Sequence, residues 1–324
     1  MPDLIPATGA LLERILDETH PVWGEGLTRR AYGQWNVAQA RTAWGEAHLA
    51  RMALVENGRL LASGKRYLLT TRLDGRSVPT LGIGAVFTPP ALRGQGWGSM
   101  LVTAMCEAAA REGYEQALLF SEIGAEFYAR LGFVTVPLTF CDIDLHKGAG
   151  APAVTMRAGE DDDADRIVAM LAEQLRGYRF GIEHDADMVR FGVVKKRLLA
   201  GFDPRHAVEY FVVEEGYRAV AFVVMQVTRR GGQPDWWSLE ACGDRDPTGA
   251  RVGAMLQVLL ARAPASPRPL IRSWWPSRFL PPQLQCTCFP STAVTMMMKP
   301  IGGGTAVVPP LDASELCYWH GDAF

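Results

Sequence analysis

The spacing of apolar residues along the first third of the chain changes from a helical to a strand pattern. Apolar positions recur at helical spacing over 11–16 and 37–54, so we expect the chain to open with helices. From about residue 52 the spacing is that of short strands, at 52–55, 67–71 and 80–87, separated by Asn-Gly and Asp-Gly turns. The pattern therefore predicts an antiparallel meander of three strands.

A glycine-rich loop at 88–98 follows the meander. Apolar residues from Trp97 to Ala108 then repeat at helical spacing, and Gly113 stands where a helix C-cap is expected. A strand, a short helix and another strand are predicted at 116–121, 125–131 and 133–138. Strand, glycine-rich loop and helix thus follow one another in that order.

The second half repeats this order of elements after a stretch rich in Gly, Ala and Pro at 146–152, which we interpret as a linker. The predicted strands and helices lie at 154–157, 164–175, 188–199, 207–213, 218–228, 236–241, 249–262 and 269–275. The match is one of element order only, and it suggests a diverged internal duplication. We expect an α/β (α+β) fold of two tandem domains, 1–147 and 153–324, each a mixed, mostly antiparallel sheet flanked by helices.

Composition agrees with two globular domains and excludes several kinds of partner. The chain has 324 residues, of which 48% are hydrophobic and 21% charged, as in ordinary globular proteins. The formal net charge is −2 without any basic run, which excludes nucleic acid. No basic leader opens the chain, and no apolar run reaches the roughly 18 residues that span a bilayer. We expect a soluble, cytoplasmic protein without a membrane partner; homo-oligomerisation is left open.

Six cysteines are scattered along the chain, and only Cys286 and Cys288 are close in sequence. Their C-x-C spacing has no neighbouring histidine, so we interpret them as thiols and expect no metal site.

The segment from Val86 to Gly98 carries the clearest chemical pattern. Glycines at 94, 96 and 98 leave backbone amides free to converge on an anion, and the N-terminus of the following helix adds positive potential. A diphosphate fits this geometry, although a tight strand-to-helix turn would also require such glycines. The loop lacks the Gly-Lys-Ser/Thr ending of a P-loop, and its strand comes from an antiparallel meander rather than from a βαβ unit.

The run Arg93-Gly94-Gln95-Gly96-Trp97-Gly98 resembles the Arg/Gln-x-x-Gly-x-Gly/Ala signature of the GCN5-related N-acetyltransferase (GNAT) superfamily. The resemblance implies that acetyl-CoA is the co-substrate, that the loop amides hold its pyrophosphate, and that the preceding strand splays from its neighbour to pair with the pantetheine arm. The implied cofactor-binding residues are Val86, Phe87, Thr88, Arg93, Gly94, Gln95, Gly96, Trp97, Gly98 and Ser99.

A second element, 127–133, is similar to the family's Tyr-x-x-x-Gly-Phe signature. Because the coenzyme A thiolate is best protonated as it leaves, Tyr128 is the candidate general acid. Its alternative role is that of an aromatic residue packed under the sheet. Cys106, in the helix after the loop, is interpreted as a packing residue.

The base that accepts the amine proton is harder to place, because the strand at 80–87 has no carboxylate. Glu122 is the best candidate by position, followed by Glu18 and Glu25, and each could instead be an ordinary solvated carboxylate. Where many family members have Asn after the fifth strand, this chain has Ser121-Glu122. The expected activity is acetyl transfer to a primary amine by direct attack in a ternary complex; the alternative is a non-catalytic acyl-CoA sensor or interaction protein.

The acceptor is expected to be a small-molecule or lysine-type amine. Residues 17–35 contain glutamates beside Trp23, Tyr32 and Trp35, a combination that suits a cationic amine such as lysine, a polyamine or an aminoglycoside. The same aromatic residues could equally belong to the core.

The second half carries no comparable phosphate loop. At 242–249 the glycines are spaced differently, and Asp244 and Asp246 would repel a diphosphate. We therefore expect a degenerate, non-catalytic GNAT-like domain. Tandem arrangements occur in the family, including the enhanced-intracellular-survival acetyltransferases, in which the terminal carboxylate lies at the active site. A parallel role for residues 318–324 predicts that their removal lowers the rate.

Overall fold

The computed structural model describes residues 2–146, 152–263, 267–302 and 308–324, so most of the predicted linker lies outside the described residues. The α-helices are α1 (Gly9–Trp23), α2 (Arg29–Ala40), α3 (Ala43–His48), α4 (Trp97–Arg111), α5 (Glu126–Ala129), α6 (Ala164–Leu175), α7 (Ala186–Phe202) and α8 (Ala250–Arg262). The strands are β1 (Asp3–Pro6), β2 (Leu49–Glu56), β3 (Arg59–Leu73), β4 (Arg76–Phe87), β5 (Gln116–Ser121), β6 (Val134–Val136), β7 (Thr139–Leu145), β8 (Met156–Ala158), β9 (Phe180–Glu183), β10 (His206–Glu215), β11 (Arg218–Thr228), β12 (Trp236–Asp244), β13 (Leu270–Trp274), β14 (Leu284–Pro290), β15 (Thr295–Pro300) and β16 (Leu316–Cys317).

The predicted meander is confirmed as β2, β3 and β4, which pair antiparallel. Asn57 and Asp74 adopt positive φ, and each is followed by a glycine with positive φ, as a two-residue hairpin turn requires. The predicted helix over 37–54 is wrong in its second part. Thr42 caps the short helix α3, and the apolar residues after His48 form β2 because they pair with β3.

Strands β1 to β5 form the body of the first sheet, in the order β1-β2-β3-β4-β5-β15-β6, with β9 beside the far half of β3 and β16 beside β9. The second sheet has the order β14-β7-β13-β12-β11-β10-β8. Both orders refer to the described residues. The architecture is thus the expected mixed α/β one, with two mostly antiparallel sheets and no closed barrel.

The two halves of the sequence exchange strands. β15 comes from the second half but inserts between β5 and β6 of the first sheet, whereas β7 comes from the first half and lies between β13 and β14 of the second. The domain division near residue 150 therefore stays a prediction, and strands cross it in both directions.

A disulfide between Cys141 and Cys288 joins β7 to β14. The two residues lie directly opposite each other in the antiparallel register. The interpretation of Cys288 as a thiol is therefore wrong, because its partner is brought opposite it only by the pairing of β7 with β14. Cys286 is free.

Helices cover both faces of the first sheet. The buried side chains Leu101 and Met105 of α4 pack on one face, close to Gly64. On the other face, Ile15 of α1 packs with Ala53 and Leu60, and Phe191 of α7 packs in one cluster with Tyr67. α7 also contacts α2 and, in the second sheet, β10. No helix in the described ranges is long and apolar enough to cross a bilayer. α7 and the final residues of the chain thus fill the space between the sheets.

Candidate active site

Strands β4 and β5 separate part-way along their length. They pair in parallel from Thr80↔Gln116 to Ile83↔Leu119, but β4 continues to Phe87. A bulge interrupts the pairing of β4 with β3 at this point, and Ala85 has φ of 45°. The bulge turns the end of β4 away from β5. The described strands leave that edge of β4 unpaired, so its backbone groups can bond an extended ligand.

The loop after β4 exposes backbone amides at the N-terminus of α4. Gly94 and Gly96 have φ of 78° and 85°, and a Cβ built at either would meet no atom within 4 Å. No side chain caps this end of α4, and its first turn contains no acidic residue. Open space, free amides and the positive end of a helix make an anion site.

The predicted cofactor residues surround this one opening. Val86 and Phe87 end β4 and Thr88 follows directly. Residues 93–99 form the exposed loop and the first turn of α4. A Cβ at Gly98 would lie 3.2 Å from the hydroxyl oxygen of Thr88, so a larger residue there would require Thr88 to move by a few tenths of an ångström.

Tyr128 lies on α5, behind the same opening. Its side chain is only 7% exposed and packs edge-on against Phe127 and Phe133, with ring centroids 4.8 and 6.0 Å away. Burial raises the pKa of Tyr128 to about 12. Its hydroxyl makes no hydrogen bond to any described residue. The phenol is thus held neutral, as a proton donor must be.

The three candidate bases are held less firmly than Tyr128. Glu122 is exposed in the loop directly after β5, on the side where β4 and β5 separate. Glu18 forms an ion pair with Arg14 at 2.9 Å. Glu25 has a positive φ, and its main-chain oxygen accepts a hydrogen bond from Arg205. The structure brings none of these carboxylates into a buried hydrogen-bond network.

The final residues of the chain run against β4 of the first sheet. The ring of Phe324 lies 4.7 Å from that of Tyr67, centroid to centroid. A Cβ at Gly82 would come within 2.8 Å of the Phe324 ring, and one at Gly84 within 3.2 Å of its main-chain oxygen. The alternating glycines in a strand were a usable signal, because they mark a close approach by another backbone.

Buried polar contacts hold this final segment in place. Lys195 Nζ donates to the carbonyl oxygen of Ala323 at 3.1 Å, and His184 Nε2 lies 2.7 Å from Asp322 Oδ1. The other carboxylate oxygen of Asp322 accepts the main-chain N–H of Trp319. Burial alone would lower the pKa of His184, but the charge and hydrogen bond of Asp322 outweigh it and raise that pKa. The segment is therefore fixed beside β4.

At the corresponding place in the second half, a carboxylate occupies the helix N-terminus. Asp244 accepts hydrogen bonds from the backbone N–H groups of Asp246 and Arg251, both at 2.9 Å, and pairs with the Arg251 guanidinium. The donors that would hold a phosphate are thus already used.

Comparison with known proteins agrees with this geometry. Residues 26–136, which include the meander, the loop and Tyr128, match the family model described as an acetyltransferase (GNAT) domain. The match covers 111 of the 324 residues and includes all of the predicted cofactor-binding residues. A search of curated protein sequences finds no match.

Solved structures with the same fold extend over almost the whole chain. A GCN5-related N-acetyltransferase from Kribbella flavida has 15% identity and a TM-score of 0.66, covering 93% of this chain and 72% of its own. Eis1 from Mycobacterium abscessus has 13% identity and a TM-score of 0.57, covering 92% and 74%. N-myristoyltransferase from Saccharomyces cerevisiae, solved with myristoyl-CoA, has 12% identity and a TM-score of 0.56, covering 97% and 83%. At these identities the likeness shows that the fold is shared.

Proposed function

We propose that this GNAT protein is an N-acetyltransferase that moves the acetyl group of acetyl-CoA to a primary amine. The separation of β4 from β5, ending at the free amides of the α4 N-terminus, is the observation that carries the proposal. It provides a slot with unpaired backbone groups for the pantetheine arm, at 86–88, and an anion site for the pyrophosphate, at 93–99.

The reaction needs no covalent enzyme intermediate. The amine nitrogen attacks the thioester carbon, a C–N bond forms, and the C–S bond breaks. Tyr128, neutral because of its burial, gives its proton to the departing thiolate and regains one from solvent. The ammonium proton passes to a base, for which Glu122 remains the candidate.

The second half is proposed to support this site rather than to catalyse. Asp244 already fills the N-terminus of α8, so that end offers neither free donors nor positive potential to a diphosphate. The final segment, 319–324, forms one wall of the acceptor side of β4. Its removal is expected to lower turnover while leaving acetyl-CoA binding at the opposite end of the slot intact.

Acetyl-CoA binding tests the cofactor site, and a matched pair of glycines provides the control. Gly96 and Gly113 have φ of 85° and 92°, lie at opposite ends of α4, and have open space around a built Cβ. Replacing either with Leu therefore imposes similar backbone strain. In titration calorimetry Gly96→Leu should abolish binding and Gly113→Leu should retain it; equal affinities would refute the site.

Turnover separates the enzyme from the alternative of a non-catalytic acyl-CoA sensor. Thiol release would be followed with a panel of amines, amino acids, polyamines and aminoglycosides. Release with one class supports the transferase, whereas binding of acetyl-CoA without release favours the sensor. Glu122→Gln should slow release and Glu126→Gln, an exposed carboxylate on α5, should not; equal rates would remove Glu122 as the base.

A further inference from the structure

A mostly apolar cavity lies between the two sheets, beside the final segment of the chain. Its volume is about 70 Å³. The apolar side chains around it come from three places: Tyr67 and Leu69 of β3, Phe222 and Val224 of β11, and Phe324 of the final segment. Apolar cavities in proteins stay dry and take up apolar ligands of matching size.

The charged side chains at the boundary of this cavity have partners within the protein. They form three contacts: His184 with Asp322 at 2.7 Å, Lys195 with the carbonyl oxygen of Ala323 at 3.1 Å, and Glu240 with Lys196 at 3.0 Å. Because these groups are already paired, the cavity is suited to an uncharged, apolar group.

The Phe324 ring stands between this cavity and β4. A Cβ built at Gly82 would lie 2.8 Å from the Cζ atom of the ring, so the ring is in direct contact with the strand. Its centroid is 4.7 Å from that of Tyr67 and 5.3 Å from that of Phe120. Since the same side chain also lines the cavity, it separates the cavity from β4.

The function proposed above brings the acyl group to this part of β4. With the pyrophosphate at 93–99 and the pantetheine arm at 86–88, the thioester lies further back along the strand, near Gly84. The parallel pairing of β4 with β5 begins there, at Ile83↔Leu119, and fills the plane of the sheet. The acyl group must therefore turn towards one face of the sheet.

The two faces of β4 differ in the room that they offer. Leu81 and Ile83 are buried in one cluster with side chains of α4. Gly82 and Gly84 alternate with them and have no side chains, and the ring and main chain of Phe324 lie against them on the opposite face. An acyl chain longer than acetyl would meet this ring, with the cavity behind it.

We propose, on the basis of the function proposed above, that Phe324 determines the acyl-chain length of the donor. In the wild-type protein the ring stops the chain after the acetyl methyl group. Without the ring, a longer chain passes Gly82 and enters the cavity. The cavity and the space left by the ring together come to on the order of 150 Å³, the size of an apolar cavity that binds benzene.

Titration calorimetry with acetyl-CoA and butyryl-CoA tests this role without requiring an acceptor. Butyryl has two more methylene groups than acetyl, and each buried methylene adds roughly 4-fold in affinity. Phe324→Ala should therefore bind butyryl-CoA roughly 10-fold more tightly than acetyl-CoA, whereas the wild type should bind it no more tightly. Phe324→Leu, which keeps much of the apolar volume, should shift the ratio in the same direction by less.

Phe140→Ala is the matched control. Its ring packs edge-on against His320 of the final segment, with centroids 6.2 Å apart, and belongs to the same apolar cluster as Phe324, but it does not line the cavity. The wild-type ratio of affinities should therefore be retained, even if the segment is loosened. Thermal unfolding of each variant would show whether it is folded.

The outcomes separate this inference from the proposed function. An equal ratio in the wild type and Phe324→Ala, or the same shift in Phe140→Ala, overturns the inference while the binding of acetyl-CoA leaves the cofactor site standing. A wild-type preference for butyryl-CoA also overturns it. If Phe324→Ala does not fold, an unchanged ratio in Phe324→Leu overturns it instead. Failure of the wild type to bind either thioester refutes the proposed function, and this inference with it.

Discussion

Tyr128→Phe distinguishes a catalytic tyrosine from a packing one with unusual clarity, because the hydroxyl makes no hydrogen bond within the described residues. The change removes one oxygen and keeps the ring against Phe127 and Phe133. The free energy of unfolding should therefore change by less than about 0.5 kcal/mol. If the phenol protonates the leaving thiolate, kcat should fall by roughly 10²- to 10⁴-fold.

Thiol release and thermal unfolding would be measured on the same preparations. Tyr114→Phe is the matched control, since Tyr114 is also partly buried with a raised pKa but follows the far end of α4. The pKa of Tyr128, about 12, keeps the phenol protonated up to pH 10, so its titration should leave no alkaline fall in kcat below that pH. An unchanged kcat in Tyr128→Phe, or an equal loss in Tyr114→Phe, would refute the reasoning.

Three further predictions concern the surroundings of the site. Gly82→Ala should push a methyl group against the ring of Phe324, lowering turnover and reducing the unfolding free energy by about 1–3 kcal/mol in urea titrations. Burial lowers the pKa of Lys195 from 10.5 to about 8, so the unfolded chain binds more protons between these values; stability should rise with pH across that window, and Lys195→Met should abolish the rise. Reducing the Cys141–Cys288 disulfide should lower stability by at most about 5 kcal/mol, because the cysteines are 147 residues apart.

Each of these predictions has a contradicting result. Wild-type rate and stability in Gly82→Ala would mean that Phe324 does not press on β4 in solution. A flat stability profile between pH 8 and pH 10.5 would mean that burial does not lower the pKa of Lys195. Reductant should leave Cys288→Ser unaffected, and an equal effect on that variant would point to another cause.

Local sequence determined the elements around the proposed cofactor site. The Asn-Gly and Asp-Gly turns specify hairpins through their own backbone preferences, and the glycines at 94, 96 and 98 specify a loop that runs into a helix. The position of Tyr128 near this loop could also be predicted, because the Tyr-x-x-x-Gly-Phe signature consists of neighbouring residues. Its role, like that of Glu122 and the loop residues, stays a prediction.

Tertiary structure alone decided what faces the other side of β4. Met296, Met297 and Met298 form a short apolar run without alternation, so nothing local showed that β15 inserts beside β5. The pairing of Cys141 with Cys288, the path of residues 319–324 past the glycines of β4, and the hydrogen bond from Lys195 to Ala323 all join distant parts of the chain. Such contacts form because buried surfaces and strand edges must find partners, and the partner's identity is a property of the whole fold rather than of any local segment.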